Sequence, residues 1–249
     1  MAFAQPQFTD RPIQGAVATV GVSDRVAFLR RTYAHLGIAL IAWAALTAGI
    51  LRYMPDTVER FSVWALNGRW NWFLVILAFA GIGWLAQRLA LSDTSRGVQY
   101  AGLALGVVGE AVILQPLLWV VIKRFGVEEL QMNGLIGQAA GITLAIFIGL
   151  TLTVFVTKKD FSFLRGALTI GIFAVLGVIV ASMIFGFQLG ALFCGAVILL
   201  MAGYILYQTS LVMAYFPPTH HVAAALMLFS TIATLFWYVL QLLMSLRRD

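Results

Sequence analysis

The sequence has 249 residues, 61% of them hydrophobic and only 10% charged, against about 25% charged in a soluble domain. Too few polar side chains remain to cover a water-facing surface, so lipid must solvate much of the chain and a soluble domain is excluded. The net charge of +6 does not point to nucleic acid: the 16 Lys and Arg stand mostly in ones and twos between apolar runs, as charges flanking membrane spans do.

In lipid every backbone polar group needs an internal partner, which leaves helices or closed barrels. A barrel shows short alternating segments, whereas this chain has unbroken apolar runs of roughly 20 residues, the length a crossing helix needs. The expected fold class is an all-α membrane protein, a seven-transmembrane-helix bundle. Residues 1–24 read as a flexible polar leader without the apolar centre of a cleavable signal peptide, and 25–249 as the transmembrane domain, approached through a basic amphipathic stretch from Arg25 to Tyr33. The spans run from Tyr33 to Leu51, Asn71 to Leu91, Val98 to Ile122, Gly134 to Val156, Gly166 to Phe185, Gly190 to Met213 and Val222 to Leu246. Their short connections make neighbours antiparallel in one bundle. A small excess of Lys and Arg favours the N-terminus inside. The C-terminus is left open, since a last run that only re-enters returns the tail to the inside.

Two helix faces carry small residues at four-residue spacing. In the fourth span these are Gly137, Gly141, Ala145 and Gly149, and in the sixth Ala191, Gly195 and Gly203, with Leu199 between. Such stripes let helix backbones approach closely, and both are expected to pack the bundle without chemistry of their own. In the third span Gly102 and Gly106 share a face with Glu110. Glu110 is the one acid or base deep in any span, and a charge there is by default a functional hypothesis. It reads either as a proton- or cation-responsive group on a pathway or as a neutral acid donating a hydrogen bond across a helix contact. Pro116 is expected to kink this helix and free a carbonyl that needs a partner.

From Gly166 through Leu246 there is no Asp, Glu, Lys or Arg, which excludes a transporter driven by an acid in the last three spans. His35, His220 and His221 fall on one side of the membrane in this topology. Three such histidines are a conceivable zinc set, although no HExxH spacing occurs. The single cysteine, Cys194, can form no intrachain disulfide. No nucleophile elbow, P-loop or dinucleotide fingerprint is present, so no enzymatic activity, cofactor or resident metal is expected.

Several strings resemble the Bax inhibitor-1 family. They are Phe28-Leu29-Arg30-Arg31-Thr32-Tyr33-Ala34-His35-Leu36, Gly149-Leu150-Thr151-Leu152, and the loop Thr157-Lys158-Lys159-Asp160-Phe161-Ser162-Phe163-Leu164. Ile205-Leu206-Tyr207-Gln208-Thr209-Ser210 follows, then Ala224-Ala225-Leu226 with Leu228-Phe229 and Leu235-Phe236. The resemblance runs from about Arg25 to Arg247. It implies a Bax inhibitor-1-like seven-helix bundle with the last helix central and wrapped by the other six. It further implies a calcium leak gated by pH through a buried aspartate pair in the sixth and seventh spans. Eukaryotic members are linked to suppression of cell death, and some bacterial ones to restraint of a membrane-anchored quality-control protease.

The aspartate positions fall here on Gln208 and on Thr231 or, with a one-residue slip, Ser230. None of these side chains ionises near neutral pH, so the pair is expected to keep a hydrogen bond between helices and to lose the titration. Glu110 is then the remaining buried acid for any pH response. The first functional reading is a cation leak, for calcium, with altered pH gating. The alternative is a non-transporting regulator that binds another membrane protein, such as a quality-control protease, through the inner loop (Lys158, Lys159, Asp160, Arg165) or the leader. A third reading is a zinc-dependent membrane hydrolase. The expected partners are the lipid bilayer, calcium ions and another membrane protein, with no nucleic acid, and the expected location is a bacterial inner membrane.

Overall fold

The computed structural model describes residues 21–157 and 159–247, and every regular element among them is helical. Helix α1 spans Val22–Tyr53, so the basic approach and the first apolar run form one continuous helix that begins inside the segment read as leader. Asp24 in its first turn suits the positive end of the helix dipole. Next comes α2, Pro55–Leu66, which the search for apolar runs does not reveal. Pro55 at its start needs no amide partner there. Val58, Ser62 and Ala65 turn one face inward at helical spacing, and its remaining positions are mostly exposed.

The other spans are α3 (Arg69–Ala90), α4 (Arg96–Phe125), α5 (Leu135–Thr157), α6 (Arg165–Phe185), α7 (Ala191–Ala214) and α8 (His221–Leu246). With α1 they make, among the described residues, seven helices long and apolar enough to cross a membrane, and the chain is a multi-pass integral membrane protein. Local chemistry sets the helix ends. The Ser95 hydroxyl accepts the Val98 amide and caps α4, and Glu129 Oε2 accepts the Leu135 amide at 2.7 Å and caps α5. Gly186, at φ +77, lets the chain leave α6 in the left-handed conformation. Helix α4 continues through Pro116. There the Gln115 amide reaches the Thr47 carbonyl of α1 at 3.3 Å and the Ala111 carbonyl at 2.9 Å, tying the two helices beside the proline.

Helix α8 is central, and 72% of its most apolar window is buried inside the protein. Helices α1, α3, α4, α5 and α7 pack around it. This corrects the expectation that all six others wrap the last helix. Helix α6 packs chiefly on α7, with Leu168 set against Gly203 and Arg69 of α3 donating to the Met183 carbonyl at 3.2 Å. Its bulky outward residues, such as Ile170 and Phe173, suit lipid better than a close helix contact.

The two ends of α8 lie at opposite ends of the bundle. His221 lies against His35, with ring centroids 5.0 Å apart, whereas Arg247 hydrogen-bonds Glu129 in the connection between α4 and α5. The last run therefore crosses fully and does not re-enter, which places Arg247 on the side opposite the start of α1.

The two small-residue faces behave differently from the expectation. Gly141, Ala145 and Gly149 point outward, and a side-chain carbon added to Gly141 or Gly149 meets nothing within 4 Å. In α7, Leu199 in the same stripe is 75% exposed, and only Gly203 meets a neighbour closely. The tight seam belongs to α4 instead. A side-chain carbon at Gly102 would stand 2.6 Å from the Ala86 carbonyl oxygen and 2.6 Å from the Ala90 nitrogen of α3. One at Gly106 would stand 2.5 Å from Leu226 Cδ1 of α8.

Candidate functional site

The α4 seam sets the place of Glu110. Gly102 brings α3 onto this face of α4, Gly106 brings α8, and Glu110 follows one turn later. Helices α4 and α8 run in the same direction, so one turn beyond the contact of Gly106 with Leu226 the acid stands level with Ser230 at mid-span. Glu110 is only 9% exposed, and its carboxyl has no hydrogen-bond or ion-pair partner among the described residues. The reading of a neutral acid donating a hydrogen bond across the interface thus finds no acceptor here. A carboxyl in apolar surroundings without a fixed partner changes charge or binds a cation only with a large change in its local energetics.

At the same depth, α7 and α8 meet through a second polar pair. Thr231 Oγ1 donates to Gln208 Oε1 at 2.8 Å, and that hydroxyl also lies 3.2 Å from the Met227 carbonyl of its own helix. Both residues are buried. Ser230, the alternative position, is half-buried and offers its carbonyl to the Thr234 hydroxyl at 2.9 Å. The partner of Gln208 is thus Thr231, and the bond between them involves no ionisable group.

The end of the bundle where α1 begins holds a cluster that the sequence reading only half anticipates. His35 Nε2 pairs with the Tyr100 hydroxyl at 2.9 Å, and His35 Nδ1 with the Arg31 carbonyl at 2.7 Å. His220 turns to Asp93, at 3.2 Å. The same-side histidines are visible in sequence, but Tyr100 comes from the start of α4 and Asp93 from the connection before it, and neither carries a signal linking it to them. Among the described residues no three His, Cys, Asp or Glu side chains come together in a metal-binding arrangement, so the zinc-hydrolase reading lacks a ligand set.

The loop between α5 and α6, expected on the inside, is held by local bonds. Asp160 accepts the Ser162 amide at 2.8 Å and the Ser162 hydroxyl at 3.0 Å. The Phe161 amide donates to Ser210 Oγ of α7 at 3.3 Å. Lys159 and Asp160 are exposed, and Arg165 opens α6 half-buried. Lys158 lies outside the described residues. The loop stands apart from Glu110 along the membrane normal, since Ser210 is near the end of α7 and Glu110 at the middle of α4.

Residues 25–248 match the family model described as "Inhibitor of apoptosis-promoting Bax1". The chain is 29% identical over 238 residues to Bax inhibitor 1 of Schizosaccharomyces pombe, covering 94% of this chain and 82% of that protein. It is 30% identical over 224 residues to an uncharacterized protein of Pseudomonas aeruginosa, covering 86% of this chain and 87% of the other. It is also 28% identical over 235 residues to a Golgi anti-apoptotic protein of vaccinia virus, covering 92% and 89%. No solved structure matches the chain.

Proposed function

The chain belongs to the Bax inhibitor-1 family, and on that premise we propose that it is a cation leak, for calcium, whose pH control has moved off the usual aspartate pair. The observation that carries this reading is the contrast between two mid-membrane sites. Gln208 and Thr231 bond each other at 2.8 Å and hold no group that ionises near neutral pH. Glu110 is buried, acidic and without a partner among the described residues, on a face where two glycines bring α3 and α8 close. Protonation or cation binding at Glu110 changes the charge at a tight contact between α4 and the central helix. Such a contact has few intermediate arrangements, so a charge change there alters packing in a stepwise manner. The location that fits is a bacterial inner membrane, in keeping with the bacterial relatives. Purified protein in liposomes should admit calcium faster than protein-free liposomes. Equal rates would dismiss the leak.

A second reading rests on the inner loop. Lys159, Asp160 and Phe163 are exposed on a loop that Asp160 and Ser210 hold in shape, as suits a docking element for another membrane protein. The anti-apoptotic name of the vaccinia relative favours a role through partners. Crosslinking that captures the same membrane protein with wild type and with Lys159→Ala/Asp160→Ala variants would count against this loop.

A further inference from the structure

Helices α1 and α5 both pack on α8 but not along their full lengths on each other. Near the start of α1, Tyr33 bridges to Phe147 and Phe155 of α5, with ring centroids 6.5 and 5.8 Å away. Toward the opposite end the two helices part. They leave a cleft of about 630 Å³ floored by α4 and α8, within the range of about 300–1,000 Å³ typical of small-ligand sites.

The walls are apolar, including Leu114 and Ile136, but three polar side chains also line the cleft: Trp43, Thr47 and Thr143. Each is at least nine-tenths buried, with exposures of 8%, 6% and 2%, and the indole nitrogen and both hydroxyls lack any hydrogen-bond partner among the described residues. At the mouth stands Arg52, exposed and without an ion-pair partner among the described residues.

We propose that this cleft is a binding site for one bilayer phospholipid, with an acyl chain between α1 and α5 and its phosphate on Arg52. The order of groups along α1 matches such a molecule. Thr47 lies five residues below Arg52, about 7.5 Å deeper at 1.5 Å per residue, so its hydroxyl is placed for an ester carbonyl oxygen beneath the phosphate. Below that level the lining is largely hydrocarbon, with the Trp43 indole one turn deeper. A guanidinium suits phosphate through paired donors, and unpaired buried donors in an apolar cleft call for acceptor oxygens. A purely hydrocarbon occupant leaves all of these groups unanswered.

The test uses the full chain in nanodiscs doped with a phospholipid that carries a photoactivatable acyl chain, with crosslinked peptides mapped by mass spectrometry. Labelling of the peptides holding Leu40, Thr47 and Thr143 should exceed that of the outward α6 face at Ile170 and Phe173 several-fold. Arg52→Gln should bring it down to the α6 level, and so should Ala48→Trp, which fills the cleft from an exposed position. The same photoactivatable chain on diacylglycerol, which lacks the phosphate, should label the cleft no more than α6. The site is overturned by cleft labelling equal to that of α6, by indifference to Arg52→Gln, or by equal labelling with diacylglycerol. Selective labelling by a free fatty acid in place of the phospholipid overturns it as well.

Discussion

Helices α4 and α5 carry nearly the same small-residue spacing and put it to opposite uses. Gly102 and Gly106 of α4 lie under backbone and side chains of α3 and α8, whereas Gly141 and Gly149 of α5 face outward with nothing within 4 Å. Spacing alone therefore does not identify a packing face. What separates the two is their neighbours: α4 borders four other helices, α1, α2, α3 and α8, while α5 packs mainly on α7 and α8, meets α1 through Tyr33, and leaves much of its surface to lipid. The lesson extends to Glu110, whose burial follows from sharing the enclosed face.

The comparison breaks most readily at Gly102. Gly102→Ala puts a carbon 2.6 Å from two backbone atoms of α3, and overpacking of this kind costs about 1–3 kcal/mol. Thermal unfolding in detergent should show a clear fall in midpoint, and an unchanged midpoint would mean that the α3–α4 seam is looser than described. A smaller effect is expected where polar groups face each other. A double-mutant cycle on Gln208→Leu and Thr231→Val should give a coupling of about 0.6 kcal/mol, typical of hydrogen bonds between membrane helices, and additivity would deny the bond. The smallest effect belongs to α5. Gly141→Ala should be neutral or stabilising by up to about 1 kcal/mol, since alanine is the better helix former and meets no neighbour. Destabilisation there would restore the stripe as a packing face.

The seven spans are legible in sequence because each is a long apolar run, and lipid leaves such a run one backbone solution. Helix α2 is not, because 12 residues of mixed polarity resemble a loop to any search for apolar length. That Gln208 meets Thr231 follows from the family register and not from composition. The place of α6 outside the ring around α8 has no local signal: its residues are as apolar as those of the buried spans, and only the packing shows which apolar face meets protein. The cleft is equally silent, since Arg52, Thr143 and Leu114 come from three helices and meet only in the fold. Glu110 is the exception. One acid amid a long apolar run is visible at once, and the structure adds that it has no partner among the described residues.

The most direct measurement is calcium flux into proteoliposomes across a series of pH values, with wild type beside Glu110→Gln. A leak controlled from Glu110 predicts a wild-type rate that changes with pH and a variant rate that stays flat across the series. A variant that keeps the full wild-type pH response would contradict the account.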